Sequence, residues 1–279
     1  MLNPRTLKHF KLFRDPFVND IREKKDIYLS QEHVFLREML LDAARYQGFV
    51  AAYGGVGCGK STIRKLVIQT LMTEGVQVIY PVIIDKSRIY PGSLLDAIIF
   101  DISEEKPKRT LEQKTRQALN MLKCRTQAGL RQALFIEESH MLVPTAFKAV
   151  KQLYELEDGF KRMLGIILIG QNELMARMDE TRHPELREVS RRVTLAEITG
   201  LSDEDLPLYL KHKFIRIGKK ADEVFADDAY AEISRYFLMK KDNKRARYPL
   251  NVHRLTAGAM NFAAELGEKT VTAEVIRSL

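Results

Sequence analysis

A chain of 279 residues, 45% hydrophobic and 29% charged, has the composition of a globular protein with one large domain or a core plus a small companion. It contains no apolar run as long as a membrane helix, its start Met1-Leu2-Asn3-Pro4-Arg5 lacks a secretory pattern, and Cys58 and Cys124 make no disulfide framework, so a cytoplasmic protein without a membrane is expected. The net charge of +8 favours a polyanionic partner, nucleic acid before an acidic membrane surface.

Residues 1–31 read as an irregular N-terminal arm with aromatic anchors and a turn at Asp15-Pro16. A helix is expected from about Gln31, with Ser30 as its cap and Val34, Phe35, Leu36, Met39, Leu40 and Ala43 on one broad side. Gly48-Phe49-Val50-Ala51-Ala52-Tyr53 is short and apolar, a buried strand. The next residues, Gly54-Gly55-Val56-Gly57-Cys58-Gly59-Lys60-Ser61, fit the phosphate-binding pattern G-x-x-x-x-G-K-[ST]. Thr62 then opens a helical apolar spacing through Ile63, Leu66 and Val67. Glycines let backbone N–H groups curl around an anion, and the helix start aims its positive dipole end at it. Lys60 would reach the β- and γ-phosphates of ATP, and the Ser61 hydroxyl would ligate Mg²⁺.

Further along, residues 76–83 predict a second strand, with Pro81 where no ladder N–H is needed. A loop with Lys86 and Arg88 follows, then a helix through Leu94, Leu95, Ile98 and Ile99. Lys106, Lys108 and Arg109 lie in a charged loop before a helix over 111–127. Ala133-Leu134-Phe135-Ile136-Glu137-Glu138 is a third strand ending in two carboxylates. In P-loop ATPases the matching strand carries an acid for Mg²⁺ and, in one large branch, a second that polarises the attacking water. Glu137 falls at the metal position, directly or through a water because Mg²⁺ demands tight geometry, and Glu138 at the water position.

A helix from Pro144 to about Glu157 precedes the almost wholly apolar strand 163–170, which suits the middle of a parallel sheet. It leads to Gln171 and Asn172, either of which could touch the γ-phosphate or the lytic water, while Asn172 also suits a helix cap. Arg191, and second Arg192, precede a fifth strand over 193–198 and could project into a neighbouring subunit's nucleotide site. Strands alternating with helices predict an α/β parallel sheet flanked by helices over 32–200. From Ser202-Asp203-Glu204-Asp205, a helix start of the capping-box kind, only helices follow, near 203–216, 227–239, 251–266 and after Thr272. They predict a small all-α lid domain over 201–279. A second basic run spans 240–247.

Together these residues resemble an AAA+ ATPase, more narrowly the group of the ExeA (GspA) secretion ATPases and the transposition ATPases TniB, TnsC and Mu B. The resemblance covers nearly the whole chain. It is carried by His9–Phe17 with Tyr28-Leu29-Ser30, the P-loop, the Phe135–Glu138 strand, Ile169-Gly170-Gln171-Asn172-Glu173-Leu174, and Pro249-Leu250-Asn251-Val252-His253-Arg254-Leu255. Two positions depart from it. The metal-site acid is Glu137 where the group usually has Asp, and Leu250 stands where it often has a γ-phosphate-sensing Arg, for which Arg247 or Arg254 could substitute.

The ExeA branch carries a membrane span and a further extension, and the sequence shows neither after its helical lid, which favours the transposition branch. The resemblance then implies a homo-oligomer, ring or helical filament, that binds double-stranded DNA without sequence preference. It also implies transposase and target-selector partners, while the departures at Glu137 and Leu250 point to slow ATP hydrolysis. Lys86, Arg88, Lys106, Lys108 and Arg109 fall at the two places where the transposition relatives line a DNA-facing pore. Two rival readings remain, a secretion-type ATPase acting on a protein partner and a P-loop kinase for a small molecule.

Overall fold

The computed structural model describes residues 1–18, 21, 23–85, 87–238 and 247–279; Lys86 and all of the second basic run except Arg247 lie outside the described residues. Strands are β1 Phe49–Tyr53, β2 Gln77–Ile79, β3 Gln132–Ile136, β4 Glu157–Asp158, β5 Lys161–Arg162, β6 Gly165–Gly170 and β7 Thr194–Glu197. The first helices are α1 Pro4–His9, α2 Gln31–Arg45, α3 Lys60–Thr73, α4 Pro91–Ile102, α5 Leu111–Gln127 and α6 Pro144–Tyr154. Then come α7 Asn172–Arg177, α8 Arg187–Ser190, α9 Asp205–Ile215, α10 Asp227–Leu238, α11 Pro249–Leu266 and α12 Ala273–Arg277. Two compact units divide the chain. One holds His33–Gly54 and Lys60–Ile198, the other Met1–Glu32, Gly55–Gly59 and Thr199–Leu279.

The first of these is built on a parallel sheet in the order β2-β3-β6-β1-β7. All six residues of β6 are buried, as an apolar run in the middle of a covered parallel sheet requires. Gly165 is needed at its start, because a Cβ there would lie 2.5 Å from the Ala43 carbonyl oxygen. Phe135, Phe147, Ile98 and Leu168 are among the side chains that fill the core. The second strand is shorter than the sequence predicts. It stops at Ile79, Tyr80 sends its N–H to Asp101 Oδ2 at 2.6 Å, and Pro81 has no N–H to give. Similarly β3 ends at Ile136, since Glu138 takes a left-handed conformation with φ 50° and ψ 34°. The β4–β5 hairpin was not expected. Gly159, at φ 65°, makes its turn, and strands of two residues carry no readable alternation.

In the other unit the residues read as an irregular arm form helix α1 and a buried edge of the helical core. Leu2, Phe10 and Leu12 are buried in one cluster with Leu206, Phe214 and Val252. Asn3 caps α1 by accepting from the Thr6 N–H at 2.7 Å. Asn261 Oδ1 accepts from the Asn3 N–H at 3.2 Å and from Thr6 Oγ1 at 2.7 Å. Tyr28 donates to Asp205 at 2.7 Å, and the buried Arg216 pairs with Asp26 at 3.2 Å. Ser202 Oγ accepts from the Asp205 N–H at 3.0 Å and donates back to its carboxylate at 2.6 Å. His253 lies in a hydrogen bond of 2.6 Å to Tyr209, where burial and then Lys213 push the imidazole down to about 3.

Candidate nucleotide site

Strand β1 delivers the glycine loop from the middle of the sheet, and the Gly54 N–H donates to Gly170 O at 3.3 Å, tying the loop base to the end of β6. Gly57 and Gly59 have φ of 82° and 106°, conformations that side chains disfavour. The loop tip is also tight. A Cβ on Gly57 would come within 2.3 Å of Leu250 Cβ, and one on Gly55 within 2.5 Å of the Tyr248 ring. The Leu250 N–H donates to Gly57 O at 3.4 Å, and the Gly55 N–H to Tyr248 Oη at the same distance. Leu250, which departs from the expected arginine, therefore packs on the loop as an apolar contact. Arg247 pairs with Asp203, and Arg254 is exposed. Cys58 is fully buried and Val56 exposed. Helix α3 opens at Lys60, whose Nζ donates to Gly54 O at 2.7 Å; Ser61 is exposed and Thr62 half-buried behind it.

The two carboxylates beyond β3 differ sharply in their partners. Glu137 Oε1 pairs with Arg64 Nε at 2.7 Å, and its Oε2 accepts from Tyr80 Oη at 2.6 Å. The Arg64 guanidinium lies 4.5 Å from the Tyr80 ring centre, which closes the cluster. Burial and then the bond to Glu137 hold the Tyr80 phenol above its usual range. Among the described residues the Glu138 carboxylate has only the Gln171 amide, donating at 3.4 Å to Oε2, and His140 Nδ1 at 3.6 Å. Gln171 and Asn172 follow β6. The Gln171 N–H donates to His140 Nδ1 at 3.3 Å, and Gln171 rather than Asn172 stands at the start of α7, with no side-chain cap. Ser139 Oγ and Asn172 Oδ1 are buried without a hydrogen-bond partner.

The remaining expected residues are paired elsewhere or exposed. Arg191 is exposed and pairs with Glu180 at 3.3 Å, sharing that carboxylate with Arg187 at 3.3 Å. Arg192 pairs with Glu155 at 3.1 Å. Arg88, Lys106, Lys108 and Arg109 are exposed, and none has an ion pair among the described residues. Lys108 also lines a cavity of about 650 Å³ with Glu105, Arg116 and Gln117.

Arg64, Tyr80 and His140 were not singled out from sequence. Faint signals exist: an arginine one turn after Lys60 in an apolar helix, a tyrosine closing a strand before Pro81, and a histidine two places after Glu138. The donor set suits a nucleotide with Mg²⁺. Ser61 and the two carboxylates carry the hard oxygens that Mg²⁺ takes. Among the described residues no group of three or more His, Cys, Asp or Glu side chains could hold a metal by itself.

A family model described as "AAA domain" matches residues 43–178. General secretion pathway protein A of Aeromonas hydrophila is 25% identical over 218 residues, covering 76% of this chain and 38% of that relative. Among solved structures, Cdc6p from Pyrobaculum aerophilum aligns over 96% of this chain and 70% of its own with a TM-score of 0.63 at 16% identity. Drosophila ORC, in a structure bound to DNA, aligns over 99% of this chain and 65% of its own with a TM-score of 0.61 at 14% identity. The fold is thus of the AAA+ kind: a parallel sheet flanked by helices, and a small C-terminal all-α part containing α10–α12. Among the described residues no helix is long and apolar enough to cross a membrane.

Proposed function

We propose that the protein binds ATP with Mg²⁺ and hydrolyses it slowly, as an assembly-dependent switch. The observation that carries this reading is the convergence of Glu138 and Gln171 at the ends of β3 and β6, beside the strand that feeds the glycine loop. Gly54 to Thr62 cradle the phosphates, and Lys60 gives up its bond to the Gly54 carbonyl to reach them. Ser61 and Glu137 would hold Mg²⁺, which supplies charge neutralisation on the phosphates when bound. Glu138 orients and deprotonates the attacking water, and Gln171 or Asn172 senses the γ-phosphate. Arg191, or second Arg192, serves a neighbouring copy in a homo-oligomer; the pairs with Glu180 and Glu155 are exposed and weak enough to exchange.

For the partner, the similarity to general secretion pathway protein A supports a secretion-type ATPase acting on a protein. A second reading, DNA-stimulated control of transposition with a transposase and target selector, is favoured by one observation, the exposed and unpaired Arg88, Lys106, Lys108 and Arg109. Phosphate release by the purified chain tests the enzyme: Lys60→Ala is expected to abolish nucleotide binding, and unchanged binding would reject the assigned loop. ATP-dependent retention on duplex DNA at low salt, lost in an Arg88/Lys106/Lys108/Arg109→Ala variant, would establish the DNA reading. Its absence leaves the secretion-type reading.

A further inference from the structure

Glu138 sits at the end of a chain of contacts that begins at His140. The Gln171 backbone N–H lies 3.3 Å from His140 Nδ1 with hydrogen-bond geometry. A backbone N–H can only donate, so Nδ1 accepts and the imidazole proton resides on Nε2. The side chain of the same Gln171 donates from Nε2 to Glu138 Oε2 at 3.4 Å. His140 Nδ1 is itself 3.6 Å from that oxygen, but with a lone pair facing a carboxylate it makes no bond there. His140 is only 9% exposed, so nothing outside the protein replaces its contact to residue 171.

Glu138 needs such a hold. At φ 50° and ψ 34° it occupies the left-handed region, which a residue with a side chain keeps only where the surroundings fix it. The Met141 N–H donates to the Glu138 carbonyl at 2.8 Å and holds its backbone, whereas the carboxylate has the Gln171 amide as its hydrogen-bond partner among the described residues. Gln171 is therefore the joint: its backbone is set by His140 and its amide sets the carboxylate.

We infer that His140 is a positioning residue for Glu138, acting through Gln171; this rests on the reading of Glu138 as the group that activates water. The histidine supplies one acceptor atom at one place. Asparagine carries an acceptor Oδ1 at the same distance from the backbone, and leucine has the bulk without the acceptor. The test uses the full chain with His140→Leu and His140→Asn, measured for kcat, KM for ATP and thermal melting, with ¹⁵N-histidine NMR of the wild type. His140→Leu is expected to lower kcat by about a hundredfold, the effect of a misplacement near 1 Å, with KM and melting little changed. His140→Asn is expected to recover most of that loss, and Nδ1 of His140 to be unprotonated. A wild-type kcat in His140→Leu, an asparagine variant no better than the leucine one, or a proton on Nδ1 each overturns the inference. An inactive wild type overturns the hydrolysis reading instead, and with it the role given to His140.

Discussion

On one side of the β3 terminus Glu137 is clamped, and on the other Glu138 is almost free. Glu137 has both oxygens engaged, at 2.7 Å and 2.6 Å, by a guanidinium and a phenol that also stack on each other. Glu138 has one long contact and a side chain 39% exposed. The same residue type, one position apart, is thus made into a fixed anion and into an adjustable one. Glu138, held by a single neutral amide, keeps its freedom to follow a water. The division of labour proposed for the pair follows from these neighbours as much as from their order in the sequence.

The contrast breaks most visibly at Glu138. Glu138→Gln removes the base but keeps the shape, and kcat is expected to fall by about 10²–10⁴-fold. Binding of a fluorescent ATP analogue should stay at the wild-type level, and ATP-dependent assemblies should last longer. Normal turnover in this variant would mean that the clamped acid, not the free one, serves the water. The next effect in size lies on the other side. Arg64→Leu removes the guanidinium paired with Glu137 in a site where the two side chains are only 13% and 20% exposed. Loss of one partner from such a pair should cost about 3 kcal/mol, read as a lower denaturant midpoint. The double variant Arg64→Leu/Glu137→Leu should regain part of it. A neutral single variant would show that the clamp contributes nothing to folding.

Much of this was readable in the chain. The glycine loop announces itself because phosphate binding needs consecutive backbone N–H groups and so dictates residue types over a short span. Strand β6 was legible because burial on both faces leaves no room for polar residues. The clamp was not, because it joins residues from α3, from just after β2 and from just after β3. Only the parallel pairing of Ile79 with Leu134 brings Tyr80 to the Glu137 end of the sheet. Likewise His140 looks like any polar residue in a turn until β6 lies beside β3 and presents the N–H of residue 171. Strands as short as β4 and β5 escape periodicity altogether, and the early end of β2 depended on Asp101, an acceptor far along the chain.

The smallest expected effect is also the most diagnostic of the clamp. Tyr80→Phe deletes one hydrogen bond to a charged group and should cost about 1.5 kcal/mol near neutral pH. Its pH dependence has a fixed sign. Burial and the bond to Glu137 raise the Tyr80 phenol above its ordinary 10.0, so the folded chain keeps a proton that the unfolded chain gives up. Below 10.0 both states hold it and the contribution is constant; above 10.0 the unfolded state binds fewer protons, and folding loses stability as pH rises. Tyr80→Phe has no such proton, so its deficit against the wild type should shrink once pH passes 10.0. Tyr28, Tyr209 and Tyr230, also raised, leave a common alkaline decline in both proteins that cancels in the difference. A deficit that stays flat across that range would mean the phenol is not buried against Glu137, and the clamp would then reduce to the Arg64 pair alone.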